Sequence, residues 1–207
     1  MRAADVRAGV AKILAEHKPK HLVHVGAHDG EEAPGYLAAG IDRVTLVEPL
    51  PHLAARLRAR YAADQRVTVV EAACSDQPGT VALTVPTKTN MATVVPGLDG
   101  ETIIVPARRL DDVAPDADAA VIDVQGYEFT VLSAAPWDTL RLVEVETCTI
   151  DDPTLSPLYD DTIAYMAERG FREVAYFVRD YDWIQRWAFG KTTATGAEVR
   201  DVVFVRA

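Results

Sequence analysis

Gly26 and Gly30 bracket Ala27, His28 and Asp29 directly after a short run, His21 to Val25, rich in apolar and β-branched residues. A strand that ends in such a loop and feeds a helix is a place to hold a ligand, because glycine admits positive φ and lets a ligand approach the backbone. The loop alone specifies little. A second apolar run, Val44 to Val47, ends in Glu48 and Pro49 about twenty residues on, the spacing at which doubly wound folds grip ribose hydroxyls. A carboxylate there can accept two charge-assisted hydrogen bonds from cis hydroxyls; the competing reading is an exposed acid at a strand end. Farther along, Asp123 and Glu146 sit at the ends of two more apolar runs. An acid in that place is costly unless it is solvated, paired or bound to a ligand. Two carboxylates at neighbouring strand ends could hold a divalent cation, but no third ligand is evident and no metal is expected. His21, His24 and His28 lie on one strand and its loop and offer no zinc spacing.

These residues need elements to position them. Val6, Val10, Ile13 and Leu14 recur at helical spacing and predict a helix over 2–16 that Pro19 stops. Near-continuous apolar runs predict parallel strands at 21–27, 43–48 and 67–73, with a short helix over 33–39 and another started by Pro51 between them. The alternation then lapses. Gly79 opens TVALTV, which is expected to pair with IIVPARRL across a loop holding Asn90, Met91 and Thr93. It resumes with strand 119–123, helix 127–135, strand 141–146 and helix 159–169. The last two strands, 171–178 and 201–206, are joined by a connection without helical period that holds Trp183, Trp187 and Phe189, so they are expected to be antiparallel neighbours. This makes an α/β chain of seven core strands in a single domain over residues 1–207.

Composition narrows the function classes. A hydrophobic share of 49% and a charged share of 25% over 207 residues are those of an ordinary globular chain. No apolar run approaches the roughly 18 residues of a membrane span, and residues 1–20 mix acids with bases rather than forming a leader, so a cytoplasmic address is expected. A net charge of −10 repels polyphosphate and argues against nucleic acid as a partner. Arg56, Arg58, Arg60 and Arg66 read as a solvated helix face rather than a phosphate patch.

In order and spacing, HVGAHDGEE at 24–32, VEP at 47–49, AACSDQPGTVAL at 72–83, NMAT at 90–93, VPARRLDD at 105–112, VIDVQGYEFTVL at 121–132 and LVEVET at 142–147 resemble the FkbM-type family of S-adenosylmethionine-dependent methyltransferases. The resemblance covers nearly the whole chain. It implies a Rossmann-like class I methyltransferase sheet of seven strands in the order 3-2-1-4-5, with an antiparallel final pair beside the fifth. It also implies S-adenosylmethionine as cofactor, with cofactor contacts from Gly26, Ala27, His28, Asp29, Gly30, Glu48, Pro49 and Asp123. Cys74 and Ser75 would then lie along the adenine edge. The family is similar to O-methyltransferases acting on natural products and sugars, so a small-molecule acceptor is implied. Two departures stand out: His24 occupies a place where many methyltransferases carry an acid, and a third loop glycine is missing.

A hydroxyl acceptor must lose its proton, so a base is useful, and Asp123, Glu146 and His28 are the candidates. Glu128, in a first helical turn, is stabilised by the helix dipole whether or not it has a further role. With that strand order, four gaps of about 4.8 Å put Cys148 roughly 19 Å from Cys74, too far for a disulfide. Two rivals share the features: a nicotinamide-dependent oxidoreductase, for which the loop lacks GxGxxG, and a non-catalytic module that binds a nucleoside ligand.

Overall fold

The computed structural model describes residues 3–86, 92–94, 100–149, 156–179 and 198–207. Asn90, Met91, Trp183, Trp187 and Phe189 lie outside them. Helix α1 (Ala3–His17) buries Val6, Val10 and Leu14 along one stripe. It stops at Lys18, which turns to φ 49 before Pro19. Strand β1 (His21–Val25), with all five residues buried, is followed by α2 (Ala33–Ala38), which has Pro34 in its first turn, where a missing N–H costs nothing. Strand β2 (Arg43–Val47) leads into α3 (Pro51–Arg60), which buries Leu53, Ala54 and Leu57 and turns its arginines outward. Arg58 pairs with Glu71 there, and Arg60 donates to the Asp29 carbonyl.

Strand β3 (Val67–Val70) is shorter than expected. Ala73 and Cys74 leave the main sheet and form β4 (Ala73–Cys74), parallel to β6 (Gly100–Arg108), which in turn pairs antiparallel with β5 (Gly79–Pro86). The expected hairpin is therefore present, as part of a separate three-stranded sheet. A single turn, α4 (Leu110–Val113), has no counterpart in the sequence reading; at four residues it is too short to show a period. Strand β7 (Ala119–Ile122), α5 (Glu128–Ser133), β8 (Leu142–Cys148), α6 (Tyr159–Ala167), β9 (Phe171–Val178) and β10 (Val199–Arg206) complete the chain.

The main sheet runs β3-β2-β1-β7-β8-β10-β9, with β10 antiparallel to both its neighbours and the other pairings parallel. This is the seven-stranded α/β order that the resemblance implied. One apolar layer lies under α1 and α2, another under α5 and α6, and a third, with Leu50, Leu53, Leu83 and Val105, joins α3 to the small sheet. Among the described residues no helix is long and apolar enough to cross a membrane.

Candidate functional site

The chain leaves β1 toward β2 on one side and β7 toward β8 on the other, so a crevice opens where these two strands end. Gly26 is needed there for a reason of packing. Its φ is 86, and a Cβ would stand 1.9 Å from the Asp123 carbonyl oxygen at the end of β7. The N–H groups of Gly26 and Ala27 both donate to the Val47 carbonyl, at 3.0 and 3.1 Å. His28 turns to φ 49 and its N–H donates to Glu48 Oε2 at 2.8 Å, while Leu50 N–H donates to Oε1 at 2.9 Å. The glycine loop and the acid after β2 are thus one joined structure. Burial raises the pKa of Glu48, against those two bonds and the nearby His28.

A cleft of about 700 Å³ lies over these residues. Gly26 to Asp29 form one wall with Glu48 and Pro49, and Ala72 to Cys74 form another with Leu50 and Leu83. The excursion contributes Ala92 and Val94, and the end of β7 contributes Asp123, Val124 and Gln125. Thr93 Oγ1 donates to the Gln125 carbonyl at 2.7 Å and fastens the excursion to the turn after β7. That turn, with φ 57 at Gln125 and 95 at Gly126, is closed by the Glu128 carboxylate, which accepts from Val124 N–H at 3.2 Å and Gly126 N–H at 3.0 Å. Glu128 is a structural residue, fully buried, and burial pushes its pKa up to about 7.

Arg179, one residue beyond β9, was not singled out in the sequence. Its guanidinium contacts Asp123 at 2.9 Å, Glu146 at 2.9 Å and Asp201 at 2.7 Å. Glu146 and Asp201 face each other across β8 and β10, so one cation serves acids from three strands. Gln125 Nε2 also bridges Asp123, at 2.6 Å, and Glu146, at 3.0 Å, and Ser156 Oγ donates to Glu146 at 2.6 Å. Burial works against the charge of Asp123, but the charge and hydrogen bond of Arg179 hold its carboxyl below the usual range. Burial, and then the charge of Asp123, push Glu146 up to about 8. Asp123 and Glu146 therefore do come together, around a guanidinium. Among the described residues no group of three His, Cys, Asp or Glu is placed to hold a metal. A signal for Arg179 existed: a cation directly after an apolar strand, where β2, β3 and β7 are each followed by an acid.

Of the expected site residues, Gly26, Ala27, His28, Asp29, Glu48, Pro49, Cys74 and Asp123 line the cleft, and three do not. Gly30 serves the turn itself, with φ 72 and its carbonyl accepting from the Tyr61 hydroxyl at 3.0 Å. Ser75 is buried, with its hydroxyl 3.1 Å from Asp76 and 3.4 Å from the Tyr127 hydroxyl. Glu146 is buried behind Asp123 and Gln125. Both cysteines are buried, and burial alone takes the Cys74 thiol up to about 12, which makes it a packing group rather than a nucleophile. His24 is buried and its pKa is lowered by that burial; its Nδ1 lies 3.2 Å from the Tyr36 hydroxyl.

Chemically, the cleft offers an acid for vicinal hydroxyls, an apolar slot for a flat ring and an ionised acid at the end of β7. Solved structures that share the fold include three methyltransferases. Methyltransferase FkbM from Methylobacillus flagellatus KT is 16% identical with a TM-score of 0.57, over 90% of this chain and 43% of that one. Magnesium protoporphyrin IX methyltransferase from Synechocystis PCC 6803, with bound SAH, is 10% identical with a TM-score of 0.59, over 98% and 83% of the two chains. Burkholderia thailandensis 1,6-didemethyltoxoflavin-N1-methyltransferase, with bound S-adenosylhomocysteine, is 15% identical with a TM-score of 0.54, over 98% and 78%. No curated protein matches the sequence. Residues 24–173 match the Methyltransferase FkbM domain, most of the chain, and the chain belongs to the FkbM methyltransferase family.

Proposed function

We propose that this chain transfers a methyl group from S-adenosylmethionine to an oxygen nucleophile on a small natural product or sugar. The observation that carries the reading is the hydrogen bond from His28 N–H to Glu48 at 2.8 Å, which joins the glycine loop to the ribose-type acid along one wall of the cleft. The residues fit that cofactor. Each oxygen of Glu48 accepts one amide and keeps capacity for a ribose hydroxyl. Leu50, Leu83, Ala73 and Cys74 supply an apolar slot for adenine, and Asp123, kept ionised beside Arg179, suits the methionine ammonium group. A cleft of about 700 Å³ is in the range for a ligand of this size.

Bound there, the sulfonium supplies an electrophilic methyl group for in-line displacement, a reaction that gains much from positioning. The chain contributes that positioning and a proton acceptor. Asp123 has both oxygens engaged, by Gln125 and Arg179, and Glu146 is held by Arg179, Gln125 and Ser156. The base role falls to His28, whose ring lines the cleft partly exposed, 3.6 Å from Asp29. The net charge of −10 disfavours a polyanionic acceptor.

Isothermal titration with S-adenosylmethionine, S-adenosylhomocysteine and NAD tests the cofactor. The first two should bind and NAD should not; binding by NAD alone ends the reading. A screen with methyl-labelled cofactor then supplies an acceptor for testing His28→Gln. That variant should keep its cofactor affinity and turn over about 10²- to 10⁴-fold more slowly. A wild-type rate across roughly pH 6 to 9 would remove His28 as the base.

A further inference from the structure

Beside the cleft, and sharing His24, Asp123 and Arg179 with it, lies a recess of about 90 Å³, room for roughly three water molecules. Val10 and Ala11 of α1 and Gly35 and Tyr36 of α2 line one side. The sheet lines the other with Glu144, Glu146 and Asp201, all buried. Glu144 is 7% exposed, and its Oε2 has no hydrogen-bond partner among the described residues. Nearby donors are committed elsewhere. The Tyr36 hydroxyl lies on His24, the Arg179 guanidinium is spread over Asp123, Glu146 and Asp201, and Arg7 at the rim pairs with Glu31 and Glu32. The recess therefore has acceptors in excess, and what it lacks is a compact cationic donor.

We propose that the recess is a second subsite, which receives a primary ammonium group of the methyl acceptor with Glu144 as its principal partner. The inference rests on the methyl-transfer reading and deepens it: the acceptor is an amino-bearing molecule, anchored here while its hydroxyl faces the cleft. An ammonium group brings a positive charge and three donors in a small volume, which favours the ionised form of a carboxyl whose pKa burial raises and gives its open oxygen a partner. A bare divalent cation asks for six or more oxygen ligands, and no such group is assembled among the described residues. The acids of the recess on β8 and β10 also lie away from the ribose-type wall. Glu48 follows β2, whereas Asp201 is on β10, four strand gaps or about 19 Å away in the sheet order.

The test uses methylammonium chloride as probe and thermal melting as readout, against sodium chloride at matched ionic strength, with the protein saturated in S-adenosylhomocysteine. A saturable rise in Tm is expected with methylammonium and none with tetramethylammonium, which has the charge but no N–H. In Glu144→Gln, with its fold checked by circular dichroism, the midpoint should move about tenfold higher, as for loss of a charge-assisted bond. The wild-type titration decides even if that variant misfolds. Absence of a rise, or an equal rise with tetramethylammonium, overturns the proposal. So does a rise that S-adenosylhomocysteine abolishes and 5′-methylthioadenosine leaves intact, because the recess would then belong to the cofactor's own ammonium group. Failure of S-adenosylhomocysteine to bind would instead sink the methyl-transfer reading, and a methylammonium response of the free protein that Glu144→Gln weakens would still establish an ammonium site in the recess.

Discussion

Glu128 is fully buried and closes the turn that carries Gln125 into the cleft wall. In the sequence it is one more acid in a first helical turn, and nothing local distinguishes that from a turn-closing role. Burial is the largest influence on its pKa, raising it from 4.5 to about 7 against the bonds from Gly126 and Val124. Between those values the native state holds a proton that the unfolded chain has released. The stability that follows is complete below about pH 4.5 and is lost as the pH rises through about 7, roughly 3 kcal/mol in all. Glu128→Gln mimics the protonated form and should be close to wild type at pH 5. Between about pH 5 and 8 the wild type should then lose roughly 3 kcal/mol more than the variant in urea unfolding. Glu144, Glu146 and Asp201 also have raised pKa values, largely from burial, so the variant's own curve still falls with pH. Parallel curves for the two proteins would show that Glu128 is ionised in the fold at neutral pH.

At the scale of elements, the contact between the β1 loop and the end of β7 sets the floor of the cleft, and it is made by the absence of a side chain. Gly26 and Gly40 make a controlled pair, with φ 86 and 87, because a Cβ at Gly26 meets the Asp123 carbonyl at 1.9 Å and one at Gly40 meets nothing within 4 Å. Alanine at either position bears the cost of positive φ, about 1 kcal/mol or more. Only at Gly26 must the backbone of β7 also shift. Gly26→Ala should therefore lower Tm more than Gly40→Ala and weaken cofactor binding, while Gly40→Ala binds as wild type. Equal losses in the two variants would mean that the loop relaxes away from Asp123 without consequence. The spacing of Gly26 and Glu48 announced the loop and acid that line the cleft, and the alternation after Gly79 announced the hairpin, because both are local patterns. That Ala73 and Cys74 would desert the main sheet for β6 was not legible, since their apolar character suits either partner.

Across the whole molecule, the strand order followed from the succession of motifs, but the charge cluster at its centre did not. Arg179 lies 22 residues before Asp201 and 56 after Asp123, and no window of sequence brings them together. Only the assembled sheet, with β9 returning beside β10 and β10 beside β8, delivers the guanidinium to all three acids. Removing it would leave three carboxylates in a poorly solvated place, and breaking such a pair costs about 3 kcal/mol or more. Arg179→Met should lower stability by about that much at pH 8. The loss should be smaller near pH 5.5, because Glu146, already pushed up to about 8, and its neighbours can shed their charge by taking up protons. The sign follows from the variant's carboxyls having still higher pKa values than the wild type's. Its native state then binds more protons than the wild type's in that interval, and its deficit grows as the pH rises. Urea unfolding of both proteins at the two pH values measures the effect. A deficit that does not change with pH would mean that lost packing of the arginine stem, rather than the three acids, accounts for it.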